Sequence, residues 1–367
     1  MALTLHGTVA DNTAVLSRPS AKPLIINGDM AVAQRVTTTG ITSGGFYSID
    51  RMKVDLNDGG TWTQTQDADV PTGQGFANSW KLDCTTADSS VAAGTYHVAR
   101  YLFEGQDLQL LKKGTSSAEK VTVSFWIKAT VTGTYIAELY DVDNDRQISQ
   151  AYTVSSANTW EKKVLSFVAD TTGALGDDTG SSFAINLWLS AGSNFTSGTL
   201  NTTWAGQNQV NRVVGQVNSA SSTSNNVYFT GLQMEVGDFD ANSIAPFQHE
   251  SFGDNLSRCQ RYYQRILEKN SAYFCVGWNY TTGIAIGKLD LVVTMRTTPT
   301  LICATVTNGY TFYRAGAGDH VDSLFLSDAS ETNLAIANNS QISGTAGHGG
   351  GWYSSSTDSQ LDCTAEL

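Results

Sequence analysis

Apolar and polar residues alternate along many short runs of this chain, and this pattern limits the folds open to it more than any other feature. Every second residue from Val121 to Ile127 is apolar, and residues 183–190 repeat the pattern. Successive side chains of a β-strand point to opposite faces, so each run predicts a strand with one buried face. Clusters of Gly, Asn, Asp and Ser separate the runs and predict turns. We therefore expect a mainly β chain built around a jelly-roll β-sandwich.

Residues 251–267 depart from this alternation. Their apolar positions recur at spacings of four and three, which is typical of one face of an amphipathic helix. These positions are Phe252, Leu256, Cys259, Tyr263 and Ile266. Ser251 and Asp254 have the spacing of a capping box at the start of the helix. Two hypotheses stay open: the helix packs on its own domain, or it forms a neck that packs against symmetry copies around a threefold axis.

The helix divides the chain into four predicted parts. They are an N-terminal arm over 1–23, a jelly-roll β-sandwich over 24–250, the connecting neck helix over 251–267 and a second, smaller β-sandwich over 268–367. The first residues lack a basic segment followed by an apolar block, so we expect no secretory signal. The sequence also lacks a continuous run of about 18 apolar residues, so we expect no membrane insertion.

Charge and reactive residues argue against several classes of function. The chain has 22 Lys and Arg against 34 Asp and Glu, a net charge of −12, whereas a nucleic-acid-binding protein needs clustered positive charge. The five cysteines include no CxxC pair, and the five histidines lie in no metalloprotease motif. A glycosidase needs two carboxylates in one cleft, and the acidic residues here are spread through predicted turns. We therefore expect no enzymatic activity, no catalytic residues and no cofactor.

Several stretches resemble tail-fibre and appendage proteins of marine bacteriophages. They are residues 24–35 (LIINGDMAVAQR), a junction made of 229–238 (FTGLQMEVGD) and 245–263 (APFQHESFGDNLSRCQRYY), and the ending AEL at 365–367. The junction is the most specific match. The sequences SFWIKA at 124–129, NTWEKK at 158–163 and YFTGL at 228–232 resemble carbohydrate-binding jelly rolls.

This resemblance implies a structural protein of the virion, assembled in the host cytoplasm. It implies a homotrimeric short tail fibre or appendage that binds a host surface glycan or an envelope component. The N-terminal part would attach to other virion proteins, and the C-terminal domain would be the receptor-contact tip. A capsid decoration or head-fibre protein with a purely structural role is the alternative, followed by a glycan-degrading tailspike. Fold alone does not decide among these functions.

Aromatic residues are the candidate ligand contacts, because sugar rings present C–H groups that stack on flat aromatic faces. Alternation places Trp126 and Trp188 on strand faces that point away from the core. The candidates for glycan binding or for contacts between subunits are Trp126, Trp188, Trp204, Trp278, Trp352 and Tyr353, with Tyr280, Tyr310 and Tyr313 as further aromatic residues of the C-terminal domain. Burial of these rings between subunits or beneath a loop stays open as the alternative.

Acidic residues give one candidate metal site. Jelly rolls similar to this one hold a structural calcium ion near their first and last strands, and Asp29, Asp50 and Glu235 are the candidates here by position. Residues 141–145 (DVDND) begin like an EF-hand loop, but Arg146 replaces the glycine at the sixth position and no acid occupies the twelfth. We therefore expect 141–145 to form a polar turn between strands.

Overall fold

The structure is a computed structural model that describes residues 22–35, 37–267 and 271–367. These residues form two compact units, of which one ends at Asn255 and the other spans Leu256–Glu366. The chain is mainly β, as the alternating pattern predicted. Within the described residues, no helix is long and apolar enough to cross a membrane. The predicted arm over 1–23 lies outside the described residues, except for its last two.

The described residues of the first unit include three single-turn 3-10 helices, Gly105–Asp107, Gln109–Leu111 and Gln209–Asn211. The described residues also form eleven strands and one short α-helix. They are β1 (Thr38–Phe46), β2 (Met52–Asp67), β3 (Ser79–Thr86), β4 (Tyr96–Glu104), β5 (Val121–Ala129), β6 (Gly133–Asp141), β7 (Arg146–Val154), β8 (Glu161–Phe167), β9 (Ser181–Ala191), α1 (Ser193–Thr196), β10 (Ala205–Gly206) and β11 (Asn226–Val236). All the strand pairs of this unit are antiparallel.

These strands form two layers in jelly-roll order. One layer has the order β4-β9-β6-β7 and the other the order β3-β11-β5-β8. Strand β2 belongs to both, because residues 52–57 pair with β4 and residues 61–67 pair with β3. The bend between its halves contains Asp58 and Gly60, both with positive φ. A Cβ at Gly60 would lie 2.4 Å from a backbone oxygen. The predicted jelly-roll sandwich is confirmed by this strand order.

The apolar faces of the two layers meet in one core. The ring of Phe125 on β5 lies 6.0 Å from that of Phe229 in the same layer and 5.3 Å from that of Tyr152 in the opposite layer. Both contacts are edge-to-face, the arrangement that the charge distribution of aromatic rings favours. Burial of each such side chain contributes roughly 1.5–3 kcal/mol. The rows that alternation assigned to the core on β5 and β9 are buried here.

A second, smaller apolar cluster covers the outward face of the β4-β9-β6-β7 layer. The connection that follows β9 folds over this face and places the ring of Phe195 5.5 Å from that of Trp188. Beneath it, the buried carboxylate of Glu138 accepts two hydrogen bonds from Arg212, each of 2.7 Å. The Arg212 guanidinium lies 5.1 Å from the Trp188 ring centroid. Trp188 therefore points away from the main core and is still only 1% exposed.

A lysine ammonium fills an oxygen-rich cage beside the turn that joins β6 and β7. The Nζ atom of Lys113 pairs with the carboxylates of Asp141 and Asp170, the latter at 2.9 Å. It also donates to two backbone carbonyl oxygens at 2.9 Å each. All three charged side chains are almost fully buried. The first acid of the 141–145 stretch is thus bound by an internal cation.

The second unit follows helix α2 (Phe252–Gln260), which has residues on both sides of the boundary between units. Its strands are β12 (Tyr263–Arg265), β13 (Tyr273–Thr281), β14 (Ile284–Asp290), β15 (Thr300–Cys303), β16 (Tyr310–Arg314), β17 (Ala317–Val321), β18 (Phe325–Ala329), β19 (Asn333–Asn338), β20 (Gly349–Ser354) and β21 (Leu361–Thr364). They form a seven-stranded sheet, β17-β16-β20-β13-β14-β19-β18, and a three-stranded sheet, β12-β21-β15.

The two sheets of the second unit share one core, which makes this unit the smaller sandwich that the sequence predicted. Phe312 and Trp352 from the seven-stranded sheet and Leu361 from the three-stranded sheet belong to the same buried cluster. The indole of Trp352 occupies the space above Gly287, where a Cβ would lie 2.5 Å from the ring. Glycine at position 287 is therefore required by the packing of this tryptophan.

Helix α2 is shorter than the helix predicted over 251–267, and the prediction is wrong in its second half. The helix ends at Gln260, and Tyr263–Arg265 forms strand β12, which pairs with β21. The buried hydroxyl of Tyr263 donates to the carboxylate of Asp362 at 2.6 Å. Strand pairing and this hydrogen bond stabilise an extended segment, and such tertiary contacts override helical periodicity.

The five residues predicted for a trimer neck therefore do not share one helix face. Tyr263 and Ile266 lie beyond the end of α2, and Ile266 packs against the core of the second unit. Cys259 is buried, Leu256 is half-buried and Phe252 is exposed. A helical stripe suited to packing around a threefold axis is not formed by this set.

Replacing Lys113 with Met should lower the free energy of unfolding by about 3–5 kcal/mol, because the change leaves the buried carboxylate of Asp141 without its cation, while Asp170 keeps its ion pair with Arg146. Urea denaturation of the purified chain measures this loss. The neighbouring change Lys112→Met is the control, since Lys112 pairs with Glu119 on the surface and such pairs contribute less than about 1 kcal/mol. Equal losses in the two variants would contradict the buried-cage interpretation.

A buried histidine makes the stability of the first unit depend on pH. His97 on β4 is fully buried, and its ring centroid lies 4.4 Å from that of Trp62. Burial lowers the pKa of His97 to about 3 from its ordinary value of 6.5. Between these two pH values the unfolded chain binds a proton that the folded chain does not. Stability is therefore lost as the pH falls below the unfolded pKa.

The change His97→Phe should flatten the fall in unfolding free energy on acidification by up to about 1.4 kcal/mol per pH unit between about pH 6 and pH 4. The slope is the readout, because it is independent of any uniform cost of repacking. Denaturation series at several pH values provide it, with His348→Gln, at an exposed histidine, as the control. A slope as steep as that of the wild type would refute this role of His97.

Candidate functional site

One face of the seven-stranded sheet carries a row of accessible aromatic rings. Tyr273, Trp278 and Tyr280 on β13 are 64%, 41% and 63% exposed, and Tyr313 on β16 is 39% exposed. Half-buried Tyr353 on β20 lies beside them. We call these five residues the aromatic face. Contiguous exposed apolar surface of this kind marks a binding site on soluble proteins.

The backbone of β13 sets the direction of its rings. Alternation turns Val276, Trp278 and Tyr280 outward, while the intervening Gly277 is buried. The pairing of β13 with β20 shifts register between Tyr273 and Cys275, so β13 has one extra residue there. Such a bulge redirects a side chain relative to simple alternation. It brings Tyr273 to the same side of the sheet as Trp278.

Three tyrosines form a cluster at one end of this face. The ring of Tyr353 lies 5.2 Å from that of Tyr273 and 5.5 Å from that of Tyr313, and both contacts are edge-to-face. The ring of Tyr273 also lies over Gly351, where a Cβ would come within 2.9 Å of it. These contacts fix the orientation of the rings before any ligand binds, which reduces the entropy cost of binding.

The centre of the aromatic face is uncharged. Strands β13 and β20 contain no Asp, Glu, Lys or Arg. On the neighbouring strand β14, Lys288 is the cross-strand partner of Val276. The Lys288 ammonium lies 3.1 Å from the carboxylate of Asp290, which compensates the charge of the lysine. These two strands supply stacking surfaces and phenol hydroxyls, and they supply no pair of carboxylates for glycoside hydrolysis.

The predicted residues of the C-terminal domain divide between the two faces of the sheet. Trp278 and Tyr353 lie on the aromatic face, together with Tyr280 and Tyr313. Trp352 is wrong as a ligand contact: it is 0% exposed and packs 5.1 Å from Phe312 in the core. Tyr310 is also fully buried. Trp352 and Tyr353 are neighbours on one strand, so pleating sends them to opposite faces.

The three tryptophans predicted as ligand contacts in the first unit have less accessible ring surface than the aromatic face. Trp188 is wrong as an exposed platform, because the connection after β9 covers it. Trp204 is half-buried against the main core and donates from Nε1 to the Val168 carbonyl at 2.8 Å. Trp126 does face outward, but it is half-buried and lies beside Gly231 and Phe76. Its environment is packed rather than open.

Charged side chains cover a second aromatic ring, that of Tyr228, on the same outward face as Trp126. The ammonium groups of Lys81 and Lys128 lie 5.6 and 5.2 Å from the ring centroid of Tyr228. Trp160 contacts the same ring at 6.2 Å. Tyr228 is buried as a result. This face therefore presents lysines where the C-terminal sheet presents bare rings.

The three residues predicted to bind calcium have partners within the protein. The carboxylate of Asp50 accepts from the backbone N–H of Gln34 at 3.2 Å, and that of Glu235 accepts from the side-chain amide of Gln233 at 3.0 Å. Asp29 lies 3.3 Å from the side-chain amide of Asn255. In the described part of the chain, no three His, Cys, Asp or Glu side chains form a group that could hold a metal ion.

Sequence reasoning missed Tyr273 and Val276 as members of the accessible surface. The bulge that turns Tyr273 outward leaves no sequence signal, because it depends on the register of two strands that are far apart in the chain. Val276 was detectable in principle, since it shares the outward row of Trp278 by simple alternation.

No protein-family model and no curated protein matches the chain. Solved structures with a similar arrangement include the enzymatically active domain of tailspike protein 4 of bacteriophage CBA120, 13% identical, which covers 58% of this chain and 21% of that one with a TM-score of 0.29. A xylan-binding domain from Paenibacillus barcinonensis is 12% identical, and the match covers 60% of this chain and 97% of that domain with a TM-score of 0.27.

A family 11 carbohydrate-binding module from Clostridium thermocellum, in complex with a mixed-linked tetrasaccharide, is 9% identical and covers 56% of this chain and 98% of that one, with a TM-score of 0.27. The match spans about a fifth of the length of the tailspike. All three TM-scores lie below 0.5.

Proposed function

We propose that this chain is a non-catalytic structural protein of a bacteriophage virion, a short tail fibre or appendage that binds a glycan of the host surface. The observation that carries the glycan-binding part is the aromatic face, whose accessible rings lie on β13, β20 and β16. Four of the five rings belong to β13 and β20, which contain no charged residue. Sugar C–H faces stack on such rings. The virion part rests on the resemblance of residues 24–35 and of the junction in 229–263.

Avidity is part of this proposal. A shallow aromatic surface binds a single sugar segment weakly, because little of the ligand is enclosed. A homotrimer with three aromatic faces would convert later binding events into intramolecular ones and strengthen attachment without new contacts. In the proposed appendage, the N-terminal part holds the trimer to other virion proteins and the C-terminal unit contacts the host.

The changes Trp278→Ala and Tyr273→Ala should each weaken glycan binding at least tenfold, which corresponds to about 1.4 kcal/mol. Both side chains are largely exposed, so the fold should tolerate their loss. An array of purified bacterial surface polysaccharides identifies the ligand, and calorimetry on the best one measures affinity. Phe325→Ala is a matched control, since Phe325 is similarly exposed at 42% on the edge strand β18. Unchanged binding in both aromatic variants would remove the proposed site.

Light scattering after size-exclusion chromatography should give three times the chain mass of 39.3 kDa. A monomer at micromolar concentration would contradict the trimer, while leaving the glycan-binding test independent.

Images of the particle address the alternative of a capsid decoration protein: contact between this protein and the major capsid subunits would overturn the tail-appendage proposal. Release of reducing sugar from a bound polysaccharide would instead establish a tailspike enzyme.

A further inference from the structure

Strand β20 begins with three consecutive glycines, and packing explains only two of them. A Cβ at Gly350 would lie 2.3 Å from the Tyr313 carbonyl oxygen, and a Cβ at Gly351 would lie 2.9 Å from the Tyr273 ring. At Gly349 a Cβ would have no heavy atom of the described residues within 4 Å, apart from its chain neighbours. Gly349 does not have the positive φ that would require a glycine.

Glycine in a strand is costly where nothing requires it. It has among the lowest β propensities, on a scale that spans about 1 kcal/mol, and it adds no side chain to the packing. Glycines in strands often mark places where a ligand or another backbone approaches closely. Because neither backbone geometry nor internal packing requires Gly349, the absence of a side chain there leaves open space for another molecule.

This open space lies across the strand pair from Trp278. Gly349 is the direct cross-strand partner of Trp278, and partners in an antiparallel pair share one face of the sheet. Gly349 therefore opens onto the aromatic face, and we call the open space at its missing Cβ the Gly349 slot. Two positions along β20, about 7 Å away, Tyr273 lies over Gly351. The slot and the tyrosine cluster thus follow one line along β20.

We propose that the Gly349 slot holds a sugar unit of a neutral polysaccharide, stacked against Trp278, and that the polysaccharide continues along β20 to the tyrosine cluster. This inference rests on the proposed glycan-binding function and names the class of its ligand and the position at which the ligand binds. The ligand is neutral because β13 and β20 supply no charged side chain, and the nearby ammonium of Lys288 is compensated by Asp290. An acidic sugar would lose hydration in the slot and gain no ion pair from the described residues of β13 and β20.

The change Gly349→Val tests the slot. Valine favours strands, and its Cβ meets no atom within 4 Å, so the variant should fold with an unchanged or raised melting temperature. Its side chain fills the Gly349 slot, so binding should fall at least tenfold. Gly206→Val is the matched control, because Gly206 in β10 of the first unit is also a strand glycine with open space at its Cβ.

The probes are mixed-linked β-glucan and xylan as neutral polysaccharides and alginate as an acidic one, each measured by calorimetry and affinity electrophoresis. The proposal expects binding to at least one neutral probe, loss of that binding in Gly349→Val and no change in Gly206→Val. Binding to alginate alone would overturn the neutral class. Normal binding by Gly349→Val together with lost binding by Trp278→Ala would overturn the slot and leave the proposed function intact.

A second copy of this chain is the competing occupant of the slot. In that case Gly349→Val would change the molar mass in light scattering while sugar binding stayed at the wild-type level, and the inference would be overturned. Failure of the wild-type protein to bind any of these probes or any polysaccharide on the array would overturn both the inference and the proposed function.

Discussion

Strand pleating is the constraint on which the rest of this structure depends. It gives every sheet two faces, and when one face is buried in a sandwich core, the other faces outward and is either covered by the chain or left accessible. The protein covers one outward face of the jelly roll with the connection after β9, held by the ion pair between Glu138 and Arg212. Lysines cover the outward-facing ring of Tyr228 on the other layer. The C-terminal sheet instead keeps its outward rings bare.

The fold was predictable from local pattern, while accessibility was not. Alternation correctly sent Trp188 away from the main core, but only the long-range fold of the chain reveals the cover above it. For the adjacent pair Trp352 and Tyr353, local pattern alone was sufficient, because neighbouring residues of a strand point to opposite faces and both rings cannot contact one ligand. The outward direction of Tyr273 depends on a bulge between strands that are far apart in sequence, and no local signal encodes it.

Two further differences come from interactions that sequence spacing does not display. The apolar spacing from Phe252 to Ile266 fits a helix, yet the pairing of Tyr263–Arg265 with β21 gives that segment a better set of partners as a strand. The acidic stretch beginning at Asp141 resembles the start of a calcium-binding loop, but the cation that Asp141 binds is the ammonium of Lys113, 28 residues earlier in the chain. In both cases a partner distant in sequence decides the local outcome.

In the proposed function, the local and global charge of the protein would act together on ligand choice. The chain carries a net charge of −12, yet the two central strands of the aromatic face carry none. Acidic polymers meet a repulsive field that extends roughly 8–10 Å at ordinary ionic strength, and the described residues of the aromatic face include no basic cluster that offsets it. A neutral polysaccharide experiences neither repulsion nor attraction at that range, so short-range stacking decides its binding. Added salt should therefore leave binding of a neutral ligand nearly constant, which is the behaviour expected of a site selected by ring faces and open space.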